Sequence, residues 1–164
     1  MSNTFVFNCL SQYIGWADYK PEIEKALRIL MSTKYIQQCT RVGLRYISHY
    51  TETDLKNCIK FNFTFGLPEI QSETSAFRSE FQFHGAKVIL NLNNNVPFIK
   101  QQLSTKQVEL IQTSIIDIDV IADKLQVRSL EKLMDVIEDN HTNEKEIFFG
   151  MLNEDYLKSL NPEY

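Results

Sequence analysis

The sequence predicts an α+β domain built on a mostly antiparallel sheet. Several segments alternate apolar and polar residues with the period of two that a half-buried strand requires. Two others repeat apolar residues every three or four positions, as an amphipathic helix does. Most of the strand segments follow one another with only turns between them, which favours antiparallel pairing over βαβ units. The expected order is β-α-β-β-β-β-β-α, about six strands in one domain spanning residues 1–164, with both helices packed on one face.

Residues 4–10 are rich in β-formers and read as the first strand, closed by turn chemistry around Gly15. Ile23, Ala26, Leu27, Leu30 and Met31 share one helical face, and Pro21 suits a first turn, so a helix is expected over 19–32. Residues 36–50 read as a long strand in which Val42, Leu44 and Tyr46 face one way and Gly43, Arg45 and Ile47 the other. Residues 60–65 alternate Phe61, Phe63 and Phe65 with polar residues, which predicts a strand with those rings turned toward the helices. His84-Gly85 joins two alternating runs, 77–83 and 87–93, as a hairpin turn. Asn93-Asn94-Asn95 with Pro97 reads as a loop, and Ile116, Ile118 and Val120 alternate with Asp117 and Asp119 in a last strand over 108–120. A helical stripe of Leu130, Leu133, Met134, Ile137, His141, Phe148, Met151 and Leu152 predicts one long helix over 129–152. This order of elements is shared by helix-grip ligand-binding folds and by the saddle-shaped repeat of the TATA-binding protein, so the fold alone selects no function.

With 164 residues, 43% hydrophobic and 23% charged, the chain has the make-up of a folded domain that needs neither disulfides nor metal. Its formal charge is −4 and it has no long Lys/Arg run, which disfavours nucleic acid as a partner. Cys9, Cys39 and Cys58 are odd in number, widely spaced and without a CxxC, which points to buried thiols in a reducing cytoplasm rather than a disulfide framework or zinc site. The first ten residues lack the pattern of a signal peptide, and no stretch approaches the roughly 20 apolar residues of a membrane span. A cytoplasmic protein without a membrane partner is expected.

Catalytic and cofactor motifs are missing from the sequence. No GxGxxG, P-loop or GxSxG occurs, so neither a phosphate cradle nor a serine nucleophile is indicated. The expectation is no enzyme activity, no cofactor and no bound metal. Asp117, Asp119 and Asp123 form the one candidate carboxylate cluster for a hard cation, but polar residues on a strand's solvent face give the same pattern. His49, His84 and His141 have no partner residue in sequence that would give a general base work to do.

Two groups remain as candidate partner-binding residues. Tyr13, Trp16 and Tyr19 gather large aromatics at a strand-to-helix turn, where they either seal the core edge or form a hot spot. Arg41 and Arg45, with His49, share one strand face; cross-strand ion pairs to Asp117 and Asp119 outweigh an anion or partner site there.

Tyr13-Ile-Gly-Trp16 before a helix, Arg41-Val-Gly-Leu-Arg-Tyr-Ile47 in a strand, Ile116-Asp-Ile-Asp119, and His141 with Phe148-Phe149 together resemble a sporadically distributed bacterial family of unknown function. Its hallmark is an Arg-Tyr-Ile-Asn segment, and Ser48 stands here in place of the asparagine. The resemblance runs from about residue 5 to 164. It implies a role in a bacterial conflict system, such as toxin control or phage defence. The function expected is therefore a non-catalytic protein-interaction or regulatory module, with a small-ligand domain as the alternative, its pocket between the sheet and the C-terminal helix.

Overall fold

The computed structural model of the chain describes residues 4–9, 13–61, 73–101 and 108–160. In chain order the elements are α1 (Trp16–Ser32), β1 (Val42–Thr51), a 3-10 turn (Leu55–Asn57), β2 (Ser75–Phe83), β3 (Ala86–Gln101), β4 (Val108–Ala122), α2 (Leu130–Met151) and α3 (Glu154–Ser159). The class is α+β, and the described strands form one antiparallel sheet in the order β1-β4-β3-β2.

His84 and Gly85 make the tight turn between β2 and β3, both with positive φ (45° and 80°), so that Phe83 pairs with Ala86. Positive φ at both central positions matches the strands' right-handed twist, which is why a glycine and a residue tolerant of the left-handed region occupy them. Across the sheet, Val88, Leu90 and Leu92 of β3 and Ile116, Ile118 and Val120 of β4 are buried on one face. They pack with Leu55, Ile59 and with Ile147 and Leu152 at the end of the α2 segment. A second apolar cluster joins Ile23 and Leu27 of α1 to Leu133, Met134 and Ile137 of α2. Asn140 of α2 is also buried, and its amide donates to the carbonyls of Val42 and Val120, tying the helix to two neighbouring strands.

Several expectations are corrected. The sheet has four strands among the described residues, not about six. Residues 4–9 join no strand and are exposed: Phe5 and Phe7 have β-propensity but no covered face on which to alternate, and that propensity depends on context. Lys60 and Phe61 belong to no strand, and Phe61 is exposed with its ring 4.5 Å from Phe77; Phe63 and Phe65 lie outside the described residues. The strand expected over 36–50 begins at Val42, after an isolated bridge from Cys39 to Val127.

The triple asparagine ends no strand. It forms a register shift inside β3 between Asn93 and Val96, with Asn95 at φ 51°. A bulge absorbs the extra residue, and asparagine tolerates the left-handed conformation it imposes. Asn94 then bonds the backbone N–H of Leu55 and receives Ser114's hydroxyl, which fixes the 3-10 turn against the sheet.

The helix α1 starts at Trp16, one turn before Tyr19, so Pro21 stands in its second turn. Its N-cap Gly15 has φ 88° and ψ 155°, a region in which essentially only glycine is unstrained. Among the described residues no atom lies within 4 Å of where a Cβ would sit, so Gly15→Ala meets backbone strain rather than a clash with them. That substitution is expected to cost about 1–3 kcal/mol. A chemical denaturation midpoint unchanged in Gly15→Ala would contradict this account of the turn.

Candidate functional site

The turn before α1, strand β1 and helix α2 meet in a cluster of aromatic and titratable side chains. Gly15 lets the chain turn sharply into α1 and places Trp16 against α2, where its indole stacks on His141 with centroids 4.0 Å apart and planes at 20°. The indole N–H donates to both Glu138 oxygens (3.3 and 3.2 Å), and Lys20, one turn further along α1, pairs with Glu138 at 2.6 Å.

On the strand side, Tyr46 lies among the β1 residues that face α2. Its hydroxyl is 3.1 Å from His141 Nδ1 and 3.3 Å from the Tyr13 hydroxyl. The result is a hydrogen-bonded row, Tyr13 to Tyr46 to His141, that runs from the surface inward. Tyr13 also meets the rings of Tyr19 and Tyr46 edge-on, at 6.3 and 5.8 Å.

Burial sets the ionisation of this group. His141 is held below its ordinary pKa by desolvation, so its neutral form is favoured. Tyr46 is pushed far up, first by burial and then by its bond to Tyr13. Glu138 moves the other way, because Lys20's hydrogen bond holds it below the ordinary carboxylate range. Glu144, one helical turn past His141 and 6% exposed, is pushed up to about 7 by burial.

Two of the five sequence candidates go elsewhere. Tyr13, Trp16 and Tyr19 come together in this cluster, whereas Arg45 projects from the opposite face of the sheet and Arg41 acts electrostatically on Asp119 there. Arg45 donates from Nε and Nη2 to the two oxygens of Asp117, both at 2.7 Å. Asn91 donates to Asp117 (3.0 Å), Arg78 to Asn91 (3.0 Å) and to Glu80 (2.7 Å), and Lys87 pairs with Glu80 at 2.6 Å. This belt crosses all four strands.

Burial raises Asp117's pKa, but the bonds and charge of Arg45 outweigh it and leave the carboxyl below its usual value. Asp119 is pushed up by burial, only partly offset by Arg41 and Arg45. Asp123 is exposed and caps the N–H of Lys124, so the three aspartates do not converge. Among the described residues no three His, Cys, Asp or Glu side chains are placed to hold a metal ion.

Of the other histidines, His49 meets the ring of Phe98 at 5.9 Å and His84 lies 3.2 Å from Glu146. Tyr46, Glu138 and Glu144 escaped the sequence reading. The one signal was the polar Glu138, His141 and Glu144, which recur every three positions and interrupt the apolar stripe of α2.

The apolar surface beside the cluster stays open. Tyr13 is 46% and Ile14 51% exposed, and Phe5, Val6 and Phe7 are exposed as well. Of the three thiols expected to be buried only Cys58 is; Cys9 is exposed and lies close enough to act electrostatically on Tyr13 and Tyr19. Elsewhere, a cavity of about 290 Å³ opens beside Leu55, Phe61, Phe77 and Leu92, with no α2 residue in its lining. No helix among the described residues is long and apolar enough to cross a membrane. Comparison with protein families, with curated proteins and with solved structures finds no match for this chain.

Proposed function

We propose that this chain is a non-catalytic interaction module that binds a protein partner through the aromatic corner around Tyr13 and Ile14. The observation that carries this reading is that both side chains are about half exposed although the turn bearing them is anchored by Trp16 and Tyr46. A rigid, exposed apolar corner with a polar interior suits a hot spot, because little entropy is lost when a partner covers it. Trp16 itself is committed to His141 and Glu138, so it supports the corner rather than forming its contact surface. In the setting that the family resemblance suggests, the partner is a protein of a bacterial conflict system.

A second reading, binding of a small ligand, is favoured by the cavity beside Leu55 and Phe77. Its largely apolar lining suits an apolar molecule, although it lies away from α2, where the sequence had placed a pocket.

The test compares Ile14→Asp with Arg45→Ala in binding to partners captured by the wild-type chain. Ile14→Asp is expected to weaken capture tenfold or more, an order set by loss of a central apolar contact, while Arg45→Ala retains it. Undiminished binding by Ile14→Asp would overturn the reading.

A further inference from the structure

The two middle strands outrun their neighbours. β1 ends with Thr51 opposite Thr113, and β2 begins with Ser75 opposite Asn94. Beyond those points residues 96–101 and 108–112 pair, among the described residues, only with each other. They form a two-stranded ribbon, which is marginal in water without a third strand or a covered apolar face. Leu110 and Val108 continue the row that Ile116 and Ile118 begin on the buried face of β4, and Ile99 stands directly opposite Leu110. All three are exposed, Ile99 and Val108 by 65% and Leu110 by 68%.

The backbone shows which edge of this ribbon is open. Glu52 donates its N–H to the carbonyl of Gln112, so the backbone groups of Gln112 are turned toward the β1 side. Alternation turns those of Leu110 and Val108 the same way, where no described residue meets them. Pro97 lies opposite Gln112 in a pair without ladder bonds, so its nitrogen faces the other edge and offers no donor there. One edge is thus blunted by proline, a common guard against strand addition, and the other is left free.

We propose that the free edge of the β4 ribbon takes residues 4–9 of a second copy as its third strand, and that reciprocal exchange closes a two-fold dimer. A row of backbone donors and acceptors flanked by Ile99, Val108 and Leu110 calls for an extended segment with apolar side chains. Residues 4–9 supply one: they are rich in β-formers, join no strand and leave Phe5, Val6 and Phe7 exposed. Their own chain holds them away from the ribbon. Cys9 lies beside Tyr13 and Tyr19, and Tyr13 is bonded to Tyr46. Tyr46 pairs with Ile118, eight positions along β4 from Leu110, or roughly 27 Å. Exchange of one such segment between identical chains gives a closed two-fold assembly.

Sedimentation equilibrium of the full chain is expected to show a reversible dimer. Phe7→Pro removes an N–H and a ring from the exchanged segment. Leu110→Pro removes the donor on the free edge and spares the bonds to β3, because that N–H points away from them. Each is expected to weaken dimerisation by about tenfold or more, the order set by losing a ladder bond and an apolar contact. Amide exchange followed by NMR locates the contact. The Leu110 amide should exchange at least about tenfold faster on dilution or in Phe7→Pro, while the amide of Ile111, turned to β3, is unchanged.

A chain that stays monomeric overturns the proposal, and does so in favour of closure on its own ribbon if Leu110 is nonetheless protected. A dimer that survives Phe7→Pro overturns it as well. Should Leu110→Pro fail to fold, Phe7→Pro decides alone, since residues 4–9 add no strand to the sheet of the single chain. The reading of the aromatic corner fails on a different result, retained binding by Ile14→Asp.

Discussion

Glu144→Gln is expected to raise the folding stability at pH 8 by roughly 3 kcal/mol and to leave it nearly unchanged at pH 4. The folded-state pKa of Glu144 is raised to about 7 by burial. A group raised in this way contributes its full stability below its unfolded value near 4.5 and loses it as pH climbs through 7. Glutamine keeps the shape and never ionises. The difference between variant and wild type therefore grows across that window and is constant above it. Urea denaturation at half-unit pH steps measures it. A difference that stays the same from pH 4 to pH 8 would contradict the raised pKa of this carboxyl.

Arg45→Ala is expected to lower stability by about 1–3 kcal/mol at neutral pH, the cost of leaving a desolvated charge short of partners. Asp117 is 6% exposed and takes both oxygens' bonds from one guanidinium. With that removed, Asn91 remains its one hydrogen-bond donor among the described residues. The guanidinium is more than half exposed, so the loss arises from the stranded carboxylate rather than from burial of the arginine. Asp117's pKa is depressed in the folded protein, so its contribution is present above about 3.8 and lost as pH falls below that. The deficit of Arg45→Ala should shrink at acid pH. Arg45→Lys retains the charge but not the paired geometry, and should fall between. Unchanged stability with lost partner binding would instead make the arginine face the interaction surface.

The parts of this fold that were legible in the sequence depend on local pattern. The His84-Gly85 turn is specified by its own two residues, and Leu133, Met134 and Ile137 mark the buried stripe of α2 at helical spacing. The Arg45–Asp117 pair follows from strand alternation. Its diagonal form does not: Asp119 stands directly opposite Arg45 in the register, and the long side chain leans to the next residue on that face. What stayed hidden depends on distant partners. Phe5, Val6 and Phe7 look like a strand until no neighbour is found for them, and Asn93-Asn94-Asn95 looks like a loop until Leu55 and Ser114 give Asn94 its bonds.

The candidate site was half legible. Tyr13, Trp16 and Tyr19 announced a turn rich in aromatics, but a sequence does not say which strand and helix will meet it. Tyr46 reads as one more inward residue of β1, and His141 as an interruption of an apolar stripe. Their hydrogen bond, spanning 95 positions, is what turns the aromatic turn into an anchored corner. The same holds for Asn140, whose polarity is satisfied by strand carbonyls that helical periodicity cannot anticipate.

The claim that the aromatic corner is the contact surface is tested most directly by site-specific photo-crosslinking in the organism that encodes the chain. One photoreactive residue is placed at Ile14, in the corner, and another at Ile47, equally exposed on the far face of the sheet. The account predicts a discrete crosslinked protein from position 14 that is lost when Tyr13 is also changed to alanine, and none from position 47. Crosslinking from position 47 and not from 14 would contradict it and move the interface to the arginine face.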